Sequence, residues 1–248
     1  MQLLKSKLFA CFKHFVLSLI VVGSVVGFTI FYMYPDPYFK IEGGVGLLTI
    51  MLCVDLVLGP FLTLIVYKPK KKSLLFDLSI IVAVQLAALI YGSYVLVDSR
   101  PAFLVYSKDR YVVVSASDIK KEQVDEQWLP LGFSGPKLVA AWIKDEKESD
   151  KVLFQVMEGG KDVEFRPKYY EPYTNFTEEV TDRLLSLDTF SLNKQQEDQL
   201  NQVLEDNSLP IADVGGLPVV GRKQDVLAIV SRKTADILGF VSIDPWPN

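Results

Sequence analysis

The chain has 248 residues, half of them hydrophobic and 23% charged, and its net charge of −4 at pH 7 is unevenly spread. Residues 1–97 carry eight Lys/Arg and four Asp/Glu, a balance of +4; residues 98–248 carry 18 and 26, a balance of −8 that would repel phosphate backbones and sets nucleic-acid binding aside. His14, Cys11 and Cys53 are the only His and Cys, so residues 98–248 can build no internal disulfide, zinc site, haem ligation, Ser-His-Asp triad or Cys-His dyad.

Three apolar runs come first. Residues 15–34 hold no charge, residues 45–67 hold one, Asp55, and residues 78–97 hold none. Each reaches the roughly 20 residues that cross about 30 Å of hydrocarbon as a helix. The first run, flanked by Lys5, Lys7 and Lys13, could be a cleaved signal peptide. It is longer than a usual signal core and lacks a small-x-small site before Tyr34-Pro35, so it reads as a retained anchor. The lysines before the first run and Lys68, Lys70, Lys71 and Lys72 after the second place both segments in the cytoplasm by the positive-inside rule, and three spans leave the C-terminus outside. The expectation is a three-helix membrane domain over residues 1–98 with the N-terminus inside, in contact with the lipid bilayer.

Three features of the spans go beyond apolarity. Gly23 and Gly27 form G-x-x-x-G, and Ala83/Ala87 with Ala88/Gly92 give the third span a similar small-residue face. Such faces let helices approach closely, either within this bundle or against another protein's helix. Gly59-Pro60 removes a backbone hydrogen bond in the second span and predicts a kink. Asp55 is costly in hydrocarbon and needs a partner, for which Gln85 lies at a similar depth. Two roles stand for the pair: a polar staple between helices, or a proton or substrate site. An aspartyl protease would need a second carboxylate beside Asp55, and Asp77 lies at another level.

After Arg100-Pro101 the pattern becomes that of an α+β domain over residues 99–248. Runs 102–106 and 110–114 flank Ser107-Lys108-Asp109 as a hairpin, and runs 225–231 and 237–243 form another, with 217–221 as a third strand there. Between them a helix is expected behind Asn175, with Glu178 in capping-box position, and a second over residues 193–206. Residues 147–158 read as helix or, at 152–156, as strand. The terminal hairpins are expected to pair in one antiparallel sheet. Glu178, Glu179 and Asp182 cluster on a helical face, as solvated first-turn acids commonly do. Tyr169, Tyr170 and Tyr173 read either as a partner surface or as core. No phosphate loop, cofactor motif or metal-ligand spacing is found.

The segments VDLVLGPFLTLIVYKP at 54–69, FDL at 76–78, QLAALIYG at 85–92 and RPAFLVYSKDRY at 100–111 resemble the TfpX/TfpZ family of type IV pilin accessory proteins. The likeness runs along the chain and is clearest over residues 35–114 and 215–246. It implies a bacterial inner-membrane protein with a periplasmic domain. Its partner would be a type IV pilin subunit, through the pilin's membrane helix and head, along with other pilus-assembly proteins. The implied role is chaperone-like, without catalytic residues or a cofactor. A membrane-anchored sensor or complex subunit whose outer domain binds a small ligand is the other class. Its cytoplasmic segments, residues 1–14 and 68–77, are too short for an output domain.

Overall fold

A run of apolar side chains offers nothing to its own amide and carbonyl groups, so the backbone must satisfy itself, and a helix does this within one segment. In the computed structural model, which describes residues 2–129, 131 and 134–246, three long helices result: α1, Gln2–Met33; α2, Gly44–Val66; and α3, Leu74–Asp98. Each is long and apolar enough to cross a membrane. α1 begins well before residue 15, because the flanking lysines are good helix formers even where they would not enter hydrocarbon.

The chain divides into two compact units, Met1–Pro35 with Gly43–Ser99, and Asp36–Glu42 with Arg100–Asn248. In the first, α2 packs on both α1 and α3. Gly92 permits the α2–α3 approach, since a Cβ there would fall 2.7 Å from Met51 Sδ.

The second unit holds a seven-stranded sheet in the order β4-β3-β1-β2-β5-β6-β7. The strands are β1, Pro101–Ser107; β2, Arg110–Ser115; β3, Lys137–Ala141; β4, Tyr170–Pro172; β5, Val214–Val220; β6, Val226–Ser231; and β7, Ile237–Val241. Both expected hairpins form, but β5 lies between them, and the expected antiparallel sheet is mixed: β1 runs parallel to β3, and β2 parallel to β5, with Tyr111 opposite Val219. The reason is connection length. A tight hairpin forces antiparallel neighbours, whereas the long crossovers into β3 and β5 allow parallel ones. β3 and β4 were not expected at all.

β1 and β6 are buried along their whole length, so both faces of the sheet are covered. Phe103, Val105, Val112, Val114 and Val139 pack with Ile119, Val124 and Val163. Leu227, Ile229 and Val241 pack with Leu200 of a helix, Lys194–Asn207, that opens on the capping box of Asn193 and Gln196. Residues Glu146–Met157 form a helix capped by Asp145, so no strand forms at 152–156. The Asn175 cap does not form: Asn175 sits inside a 3-10 turn, Tyr173–Phe176, and the helix Thr177–Asp182 follows it.

Tyr170 and Tyr173 are core residues, 4% and 8% exposed, which removes them as a partner surface. Tyr173 donates to the Ala235 carbonyl at 2.7 Å, so the 2.6 Å contact of the two hydroxyls has Tyr111 as donor. Burial pushes the Tyr173 phenol up to about 12 and raises that of Tyr111 as well, which keeps both protons in place. Tyr170 donates to Glu164 O at 2.5 Å, and half-buried Tyr169 donates to Glu148 at 2.6 Å.

Asp36–Glu42, between α1 and α2, belongs to this second unit. Ile41 is fully buried, and its carbonyl accepts from the Lys223 amide at 2.8 Å. The Tyr38 ring meets Phe240 edge-on, with centroids 5.8 Å apart. The Glu42 carboxylate accepts from Ser115 at 3.0 Å and from the Arg222 amide at 3.2 Å. Burial raises the Glu42 carboxyl above its ordinary value, and those two donors oppose the rise.

Tyr173→Phe leaves the Ala235 carbonyl and the Tyr111 hydroxyl without their bonds and should destabilise the domain by about 1–3 kcal/mol. Tyr169→Phe, at a half-exposed site, should cost less. Chemical unfolding of the full chain in detergent, read by near-ultraviolet circular dichroism, gives the order; equal losses would contradict it.

Candidate functional site

The site begins with a missing hydrogen. α2 contains a π turn, Cys53–Leu58, in which the Gly59 amide bonds the carbonyl of Val54, five residues back. The next amide in that register would serve Asp55 O, but residue 60 is Pro and has none. The Gln85 amide from α3 takes its place, with Nε2 3.1 Å from the Asp55 carbonyl oxygen. Gly59 makes room for it, because a Cβ on Gly59 would overlap the Gln85 amide group.

This contact fixes the rest of the cluster. A carbonyl only accepts, so Gln85 must turn its nitrogen to Asp55 and its oxygen to His14, whose Nε2 lies 2.7 Å away and must therefore carry a proton. His14 Nδ1 stands 2.6 Å from Thr63 Oγ1. The neutral Nε2–H tautomer satisfies every contact, with the Thr63 hydroxyl donating to Nδ1. One side chain from each long helix thus joins a continuous chain of bonds: His14 from α1, Thr63 from α2 and Gln85 from α3.

The hydrogen bond that joins Gln85 to Asp55 is made to the Asp55 backbone carbonyl. Asp55 Oδ2 is buried and has no hydrogen-bond partner. His14 and Thr63 were missed. His14 fell just outside the apolar run, yet Ser18 and Val22 follow it at helical spacing, and Val22 is buried.

The small-residue candidates separate. Gly59, Pro60 and Gly92 are buried between helices. Gly23 and Gly27 meet nothing within 4 Å; Ala83 and Ala87 are exposed and Ala88 is half-buried. Beside the cluster lies a cleft of about 480 Å³, with Phe9 to Val22 of α1 on one wall, Leu78 to Leu89 of α3 on the other, and Asp55 and Thr63 of α2 between them. In the second unit, Glu178, Glu179 and Asp182 are exposed. Among the described residues, no group of three or more His, Cys, Asp or Glu converges as metal ligands would.

Gly59→Ala should displace Gln85 and strand the Asp55 carbonyl and the His14 Nε2–H, a loss of about 1–3 kcal/mol per unmet group at most. In a Pro60→Ala background the restored amide can serve Asp55, so the same change should cost clearly less. Thermal unfolding of the four detergent-solubilised proteins tests this, and additive losses would refute the role given to Pro60.

Two fimbrial assembly proteins of Dichelobacter nodosus, of serogroups I and E1, are each 29% identical to the chain over 244 residues, covering 94% of it and 93% of their own length. The fimbrial assembly protein of serogroups C1 and C2 from the same organism is 36% identical over 115 residues, 46% of this chain and 88% of that one. No family model matches, and no solved structure matches. The full-length likeness to two of these proteins and the closer likeness across most of the third show that the chain belongs to the family of the D. nodosus fimbrial assembly proteins.

Proposed function

We propose that the protein is an inner-membrane accessory factor that binds a type IV pilin, stabilises it and promotes its assembly into pili, acting by binding and not by catalysis. The observation that carries this reading is the likeness to fimbrial assembly proteins along 94% of the chain. The resemblance of residues 54–69 and 100–111 to the TfpX/TfpZ family narrows the role to service of a pilin. Three helices of membrane-crossing length support residence in a membrane. The lysines at 5, 7, 13 and 68–72 support a cytoplasmic N-terminus, with the acidic domain in the periplasm. A pilin has an apolar helix in the membrane and a head outside it, so a helper with a helical unit and an outer domain has a part for each.

Deleting the gene should lower both pilin level and surface pili, and complementation should restore them; unchanged pilin and pili would remove the reading. Glu178→Ala, Glu179→Ala and Asp182→Ala should complement fully at normal protein level, since none of these exposed acids is given a chemical role. A periplasm-active reporter fused after Asn248 should be active and one inserted at residues 70–72 silent, whereas the opposite pattern would invert the topology.

A further inference from the structure

Among the described residues of the helical unit, the buried side-chain polar atom without a partner is Asp55 Oδ2. Asp55 is 3% exposed and lines the cleft between α1 and α3. An acceptor held from water without a donor is unfavourable, and a donor presented through the cleft would relieve that cost.

The cleft defines that group. Asp55 stands eleven residues from each end of α2, which is about 16 Å from either end at 1.5 Å per residue. Lipid headgroups lie at the edges of a hydrocarbon layer about 30 Å thick, too far to reach it, and an acyl chain has no donor. The walls, Phe9 to Val22 and Leu78 to Leu89, are about 20 Å and 17 Å long, enough to lie along three turns of a helix. They are also uncovered: Leu17 is 63% exposed, Val82 44% and Leu86 49%.

We infer that this cleft receives one membrane-spanning helix of a partner, and that midway along its apolar run this helix carries an amide, hydroxyl or ammonium group that donates to Asp55 Oδ2. This rests on the reading of the partner as a pilin and adds where it is held and by what chemistry. The carboxylate also discriminates, since a helix without the donor would seal the oxygen away unpaired.

The test places a photo-crosslinking amino acid in the full chain, in the pilus-bearing cell, at Leu17 or Leu86 inside the cleft and at Val84 or Ile50 outside it, with adducts read by antibody to the pilin. Adducts are expected from the first pair and not from the second. Asp55→Leu should reduce them about three- to eighteen-fold, the range of one interhelical hydrogen bond in a membrane. Because Asp55→Leu alters the floor of the bundle, Val82→Trp serves as a second variant: it fills the cleft from an exposed wall and should abolish the adducts at matched protein level. Pilin adducts equally strong from Val84 and Ile50, adducts undiminished in Val82→Trp, or adducts only with a second copy of this chain would overturn helix docking. Adducts undiminished in Asp55→Leu would overturn the donor. If gene deletion removes pili while pilin adducts arise only outside the cleft, the accessory function stands and the cleft inference falls. If deletion leaves pilin and pili unchanged, the function itself falls.

Discussion

The amide hydrogen that Pro60 lacks governs the helical unit. A π turn shifts the backbone bonds by one residue, and at Asp55 the shifted register meets the one residue type with nothing to donate. The missing bond is made from another helix by Gln85 Nε2, through the gap left by the absent side chain of Gly59. Once Gln85 is committed, its oxygen selects a protonated nitrogen on His14, and the other ring nitrogen takes Thr63. A backbone defect in one helix thereby dictates side-chain identities in all three.

Magnitudes indicate what such a cluster does. An interhelical hydrogen bond in a membrane averages about 0.6 kcal/mol, while a buried group deprived of its partner costs about 1–3 kcal/mol. The cluster therefore adds little to the cohesion of correctly packed helices and penalises misaligned ones several times more. Its effect is on register: slipping α3 by one residue would swing Gln85 away by about a third of a turn and strand several groups together.

Much of this architecture is legible in the sequence, and the exceptions share a cause. Uninterrupted apolar runs disclose α1, α2 and α3, because length and charge alone decide whether a segment can cross hydrocarbon. Hairpins and the Asn193–Gln196 cap are equally visible, since turn and cap chemistry act between residues close in sequence. What stayed hidden depends on partners far along the chain. The direction of β3 and β5 follows from long crossovers, β4 is held by pairing with β3, and the 3-10 turn that absorbs Asn175 puts Tyr173 within reach of Tyr111 and Ala235. Asp55, Gln85, Gly59 and Pro60 stand out individually in the sequence as rule-breaking residues. That His14 joins them, and that Gln85 bonds the Asp55 backbone carbonyl, follows only from the three helices together.

The loop between α1 and α2 gives the chain an unusual connectivity. Because Asp36–Glu42 is part of the second unit, the polypeptide passes between the units three times, at residues 35–36, 42–43 and 99–100. A protease cut at the last crossing would not free the sheet domain. The N-terminal fragment would still present Tyr38, Ile41 and Glu42, already seated against Phe240, Gly221, Ser115 and Arg222. The nicked protein would behave as a complemented split protein, with seven residues of one piece serving as an internal plug for the other.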